Sequence, residues 1–207
     1  MRYTGPVCKL CRREQAKLFL KGDKCLTKCT FDKRSVIPGA AKPQRGKPSA
    51  YALRLREKQK LRRLASVAEK PFKRLVEAAS QSSEASGEYL LRALEMRLDN
   101  VVRRMGLATS LKQARQLVRH GKVKVSGRVV SVPSCAIEAG DVVALDVRAR
   151  ENVGIKLSLE TAQRLNQRPS YLEFNAAEFS AKIVRLPERA EMSFPVNEQL
   201  IIEHYSK

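Results

Sequence analysis

Apolar residues recur with two different periods along this chain, and the change of period predicts where helices give way to strands. Leu94, Leu98, Val101 and Met105 form one helical stripe, which predicts a single long helix following the break at Gln81–Gly87 and ended by Gly106. Ser110 reads as the N-cap of the next helix, and Gln113, three residues on, completes a capping box. Ala114, Leu117 and Val118 supply its apolar face and Gly121 its stop signal. The period then drops to two. Val123 and Val125 alternate with Lys122 and Lys124, and Ser126-Gly127 turns the chain into Arg128–Val132. Residues 95–133 thus predict helix, turn, helix and β-hairpin, with guanidiniums, amides and an imidazole on the remaining face.

The flanking sequence is less regular. Tyr51–Leu64 predicts a helix with an apolar seam of Leu53, Leu61 and Leu64 and six cations elsewhere. Phe72, Leu75, Val76 and Ala79 predict another, with Pro71 in its first turn. Val142–Val147 reads as a strand, and so does the alternation Phe179, Ala181, Ile183, which Pro187 ends. Thr161–Arg168 is polar, either a short helix or irregular, and Asn197–Tyr205 predicts a final short helix. Residues 35–50, with three Pro and two Gly, form an extended loop that cannot pack a core. No internal repeat is present.

Charge changes the picture. The 207 residues carry 41 Lys and Arg against 21 Asp and Glu, a net charge of +20. Residues 1–80 hold 22 cations against 6 acids, whereas residues 81–207 hold 19 against 15. Such an asymmetry exceeds what solubility needs and points to a polyanion, bound chiefly by the N-terminal part. No stretch approaches the ~20 apolar residues of a membrane span. The first residues, MRYTGPVCKLCRRE, lack the apolar core of a secretory signal. A cytoplasmic location is therefore expected, with no membrane partner, and its cysteines are expected to bind metal rather than pair as disulfides.

Cys8-x2-Cys11 and Cys25-x3-Cys29 are two close pairs separated by thirteen residues. Two such pairs offer four thiolates to one ion, for which Zn²⁺ in a structural, tetrahedral site is the expected occupant. An iron–sulfur cluster, unpaired thiols or a redox switch are the other readings. The segment has too little apolar mass to fold alone, so the metal would contribute folding free energy. Nothing nearby suggests the general base of a catalytic zinc. Cys135 reads as a small buried hydrophobe.

Four separated motifs carry a resemblance over essentially the whole chain: RYTGPVCKLCRRE, YALRLREKQKLRRL, RLDNVVRRMGLA with QARQLVRHG, and PVNEQLIIEHYS. With them the chain resembles the bacterial-type S-four family of small (30S-type) ribosomal subunit proteins, in its zinc-binding, four-cysteine form. The second cysteine pair is one residue tighter than the x4 spacing of that form, the loop after it lacks a histidine-containing PGxHG pattern, and Ser-Gly stands where Asn-Gly is common. The resemblance implies an α+β protein. A mainly helical, zinc-containing N-terminal domain (1–94, zinc site within 1–34) is interrupted by an S-four-type RNA-binding module at 95–155. A C-terminal segment, 156–207, completes the first domain. It implies a non-enzymatic constituent of the small subunit with no small-molecule substrate. Such a protein binds the 5′ domain of small-subunit rRNA, nucleates assembly, lies by the channel through which mRNA enters, touches neighbouring small-subunit proteins, influences decoding accuracy, and in some members represses its own mRNA.

On this reading Arg103, Arg104, Lys112, Arg115, Arg119, Lys122 and Lys124 grip phosphates, while Asn100, Gln113, Gln116 and His120 reach sugar or base edges. His120 also fits a role in capping helix carbonyls, and Asp99 fits orienting an Arg better than touching RNA. Lys9, Arg12, Arg13, Arg45, Lys47, Arg54, Arg56, Lys58, Lys60, Arg62 and Arg63 form a second grip. Recognition of RNA shape is expected, since side chains cannot read the deep groove of an A-form helix. The competing functions are a zinc-dependent nucleic-acid-binding regulator and an RNA-modifying enzyme or its accessory; no catalytic constellation stands out for the latter.

Overall fold

The computed structural model describes residues 3–39, 47–165, 168–192 and 194–206. In chain order the helices are α1 (Cys8–Glu14), α2 (Asp23–Thr27), α3 (Thr30–Lys33), α4 (Ala50–Leu64), α5 (Glu69–Gln81), α6 (Ser86–Glu95), α7 (Leu98–Arg104) and α8 (Leu111–Arg119). Strands β1 (Val123–Val125), β2 (Arg128–Val129) and β3 (Val142–Leu145) follow, then α9 (Val153–Arg164), β4 (Leu172–Asn175), β5 (Ser180–Ile183) and α10 (Glu198–Tyr205). Described residues up to Leu91 and from Phe194 onward form one compact unit, and those from Arg92 to 192 form another.

The first unit is helical. Ser49 caps α4, its Oγ accepting the Ala52 N–H at 3.2 Å. Asn197 caps α10 by accepting the N–H groups of Gln199 and Leu200. Each cap satisfies donors that the first helical turn leaves open, worth about 1 kcal/mol. Leu61, Phe72, Val76, Ala79 and Ile201 are buried, whereas Leu53, predicted in the seam of α4, is exposed. Lys58 is buried there instead. Its ammonium donates to Glu69 Oε1 at 2.8 Å and lies 5.6 Å from the centre of the Tyr205 ring.

The second unit is built on a five-stranded antiparallel sheet of order β2-β1-β3-β5-β4. Val123 pairs with Leu145, Val143 with Ala181, and Leu172 with Ile183, so alternate positions on neighbouring strands send apolar side chains into one core. The helices contribute Leu98, Val101, Met105, Ala114, Val118 and Ile155 to it. Ser126 and Gly127 both have positive φ, 46° and 84°, as the two-residue turn joining β1 to β2 requires.

Two expectations from the sequence are corrected. The single helix through Leu94 and Met105 is two, because Arg97 is extended (φ −71°, ψ 139°). The cause is distant backbone: Leu98 N–H donates to Cys135 O at 2.8 Å, Asp99 N–H to Pro133 O at 3.1 Å, and Ile137 N–H to Met96 O at 2.9 Å. These bonds take two donors and an acceptor that a continuous helix would have used. The second difference concerns the segment 156–207. Residue 155 lies inside α9, and β4 and β5 extend the sheet of β3, so only the stretch from Phe194 joins the first unit. A two-stranded hairpin alone covers little of a core, whereas β5 beside β3 closes it.

Candidate nucleic-acid interface

α8 carries the most regular cationic face. Leu111, Ala114 and Val118 are buried, and Lys112, Gln116 and Arg119 point to solvent with His120 just beyond. Ser110 caps the helix, its Oγ accepting the Gln113 N–H at 3.3 Å. The Gln113 side chain is used as well, Oε1 accepting the Thr109 N–H at 3.0 Å. Gln113 thus serves the helix start, and the expected contact to sugar or base is not available to that oxygen. Lys122, just before β1, and Lys124 within it are half-buried, and Lys124 pairs with Asp146 at 3.2 Å. The Arg148 N–H and the Lys124 ammonium hold the Asp146 carboxyl below its usual range.

Two carboxylates, both fully buried, organise the helices behind this face. Glu95 Oε2 accepts from Asn100 Nδ2 at 2.9 Å, and its Oε1 accepts from Arg104 Nε and from the Tyr171 hydroxyl at 3.1 Å. Burial, followed by the Glu95 charge, pushes the Tyr171 phenol well above its ordinary range, so it remains a donor. Asp99 accepts both Nε and Nη2 of Arg97, at 3.2 and 3.1 Å, and Arg115 Nε at 2.9 Å. The sequence places Asn100, Arg104 and Arg115 on RNA; in this structure their polar groups serve internal carboxylates. A buried charge left without such partners would cost several kcal/mol. Arg103 is half-buried, and burial, with Arg104 beside it, lowers its pKa.

The expected second grip is divided in the same way. Within the first unit Arg54 pairs with Glu203, Arg56 and Arg63 with Glu14, Lys60 with Glu57, and Lys58 and Arg62 with Glu69. All six cations of α4 therefore have carboxylate partners. Burial raises the Glu14 pKa despite the guanidiniums of Arg63 and Arg56. Arg12 Nε donates to Val36 O at 2.8 Å, while Lys9, Arg13 and Lys47 are exposed. Arg45 lies outside the described residues.

Cys8 and Cys11 share one face of α1, Cys25 lies in α2 and Cys29 immediately precedes α3. Burial raises the thiol pKa of both Cys11 and Cys25, and the other thiols of the set push the same way. Backbone bonds oppose this, from Leu18 to Cys11 and from the Lys21 N–H to Cys25 Sγ at 3.3 Å. Among the described residues no group of three or more His, Cys, Asp or Glu side chains is gathered at ligand spacing.

Sequence reasoning missed Arg97, whose role depends on a helix break invisible to periodicity, and the exposed cations Arg128 and Arg148. Arg128 had a signal, since it follows the Ser126-Gly127 turn and therefore stands at a hairpin tip. No helix among the described residues is long and apolar enough to cross a membrane.

Residues 2–95 match the family described as ribosomal protein S4/S9 N-terminal domain, and residues 96–143 match the S4 domain. The chain is 50% identical over 207 residues to small ribosomal subunit protein uS4 of Thermodesulfovibrio yellowstonii, covering 100% of this chain and 99% of that protein. It is 47% identical over the same shares to uS4 of Thermoanaerobacter pseudethanolicus, and 48% identical to uS4A of Symbiobacterium thermophilum.

Proposed function

From the premise that the chain belongs to the uS4 family of small ribosomal subunit proteins, we propose that it binds small-subunit rRNA as a structural constituent of that subunit. Its role is structural rather than enzymatic, and its place is the cytoplasmic ribosome. The observation that carries the RNA contact is the α8 stripe of Lys112, Gln116 and Arg119, solvent-facing beside an internally ion-paired scaffold. Long cations on a fixed helix suit phosphates held at regular spacing, and Gln116 between them suits a ribose hydroxyl.

The finer features belong to the same proposal. The rRNA target is the 5′ domain, bound early so that it nucleates assembly. The protein lies by the channel through which mRNA enters, beside neighbouring small-subunit proteins, contributes to decoding accuracy, and represses its own mRNA. Cys8, Cys11, Cys25 and Cys29 hold one structural Zn²⁺. Beyond burial, the neighbouring thiols raise the pKa of Cys11 and Cys25, a sign of their proximity that supports that donor set, and the N–H groups aimed at those two sulfurs favour thiolate against both effects. When bound, the ion would cross-link α1, α2 and the start of α3. These residues would hold it; no catalytic step uses it.

The test replaces Lys112, Gln116 and Arg119 together by Ala in the full chain and measures binding to small-subunit rRNA across salt concentrations. Two lost phosphate contacts should weaken binding and flatten the salt slope by roughly 1.4–1.8. Undiminished affinity with an unchanged slope would overturn the assignment.

A further inference from the structure

Arg115 is on the cationic helix and was expected to touch phosphate, yet its side chain is only 11% exposed and its Nε donates to Asp99 at 2.9 Å. Asp99 sits in the first turn of α7, fully buried, and its own N–H is fixed by Pro133 O at 3.1 Å. Arg97, 12% exposed, holds the same carboxylate with two further bonds. One anion between two guanidiniums leaves a net single positive charge at the joint of α7 and α8. Without it, two poorly solvated cations would face each other.

The consequence concerns helix roll. Residues on an α-helix are spaced about 100° apart, so Arg115 lies about 40° from Arg119, about 60° from Lys112 and about 100° from Gln116 around the axis. Fixing Arg115 therefore fixes where those three side chains aim. Resting on the RNA-binding reading above, we propose that Asp99 is a positioning residue of the RNA-binding face: through Arg115 it sets the roll of α8, and Arg115 serves RNA affinity by this route rather than by contacting phosphate. Lysine cannot replace arginine in this role, because the pairing uses two nitrogens of one planar fork.

The experiment uses the full chain with Asp99→Asn, Arg115→Ala, Arg115→Lys and Arg119→Ala. It reads amide shifts of α8 without RNA, and the salt dependence of binding to small-subunit rRNA. Asp99→Asn should shift the amides of Lys112, Gln116 and Arg119. Arg115→Ala and Arg115→Lys should weaken binding alike, by roughly tenfold, with the salt slope unchanged. Arg119→Ala should flatten the slope by about 0.7–0.9. If Arg115→Ala fails to fold, Arg115→Lys and Asp99→Asn, which nearly conserve volume, still decide. Unmoved α8 amides in Asp99→Asn would overturn the proposal. So would Arg115→Lys binding like the parent while Arg115→Ala flattens the slope. If the parent chain shows no preference for small-subunit rRNA, the functional reading fails, while the amide shifts alone still judge the role of Asp99.

Discussion

The Tyr171 hydroxyl donates to Glu95 Oε1 at 3.1 Å, joining residues 76 positions apart in the chain. Glu95 is fully buried and also receives Asn100 and Arg104, so its carboxylate is held by three side chains, two from α7 and one from the entrance to β4. Tyr171→Phe removes one donor and leaves the other two. It should cost about 1–3 kcal/mol. Glu95→Ala strands Arg104 and should cost about 3–5 kcal/mol. Urea unfolding of the two variants checks the order, and equal losses would mean the hydroxyl, not the carboxylate, organises the cluster.

Gly106 and Gly121 separate backbone strain from steric conflict. Both have positive φ, 88° and 65°, but a Cβ on Gly106 would lie 2.6 Å from the Ala162 Cβ, whereas one on Gly121 would meet only Val129 Cγ1 at 3.6 Å. Gly121→Ala should cost about 1 kcal/mol from conformation alone. Gly106→Ala should cost clearly more, because α9 must move aside. Melting temperatures of the pair test this ranking.

Acid stability should carry the signature of Glu191. Its bonds from Arg185, then Ser170 and the Glu188 N–H, hold its carboxyl down at about 2, against 4.5 for a free glutamate. A folded-state value below the unfolded one means the unfolded chain binds more protons in that window. The stabilisation is complete above pH 4.5 and is lost as pH falls towards 2. Glu191→Gln should flatten the stability profile there, which denaturant titrations at stepped pH would show.

His204 should act in the same direction at higher pH. Burial and then the charge of Lys58 lower its pKa, so the folded state prefers the neutral ring, which packs tilted against Tyr51 and edge-on to Tyr205. Stability is present above the ordinary value of 6.5 and declines as pH falls through the lowered one. His204→Gln should remove that decline in the same titrations, and a profile unchanged by the substitution would contradict it.

If the cysteines hold zinc, about one ion per chain should be found by elemental analysis. A chelator should then remove helical signal from α1–α3 and leave the amide spectrum of β1–β5 intact. Loss of the sheet signals as well would contradict a metal cross-link confined to that segment.

Sequence was most legible where signals are local. Ser110, the period of Leu111, Ala114 and Val118, and Gly121 together bound α8 within a residue, since caps and stops act over a few positions. The break between α6 and α7 was invisible because it is imposed by carbonyls of Pro133 and Cys135 some 35 residues away. The cationic site followed the same rule. Sequence located the cations of α4 but not their partners, because Glu14 and Glu203 reach that helix from 49 and 149 residues away. Charge counts therefore do not tell internally paired cations from solvent-facing ones, and only burial separates Arg104 and Arg115 from Lys112 and Arg119.

The central claim is that this chain binds small-subunit rRNA through a cationic face carried on an internally paired scaffold. Its most direct test compares affinity for 5′-domain rRNA and for an unrelated structured RNA of equal length, each across a range of salt. The account predicts markedly tighter binding to the 5′ domain at every salt concentration, with affinity for both falling steeply as salt rises. Equal affinity for the two RNAs would contradict it and leave only a non-specific polyanion binder.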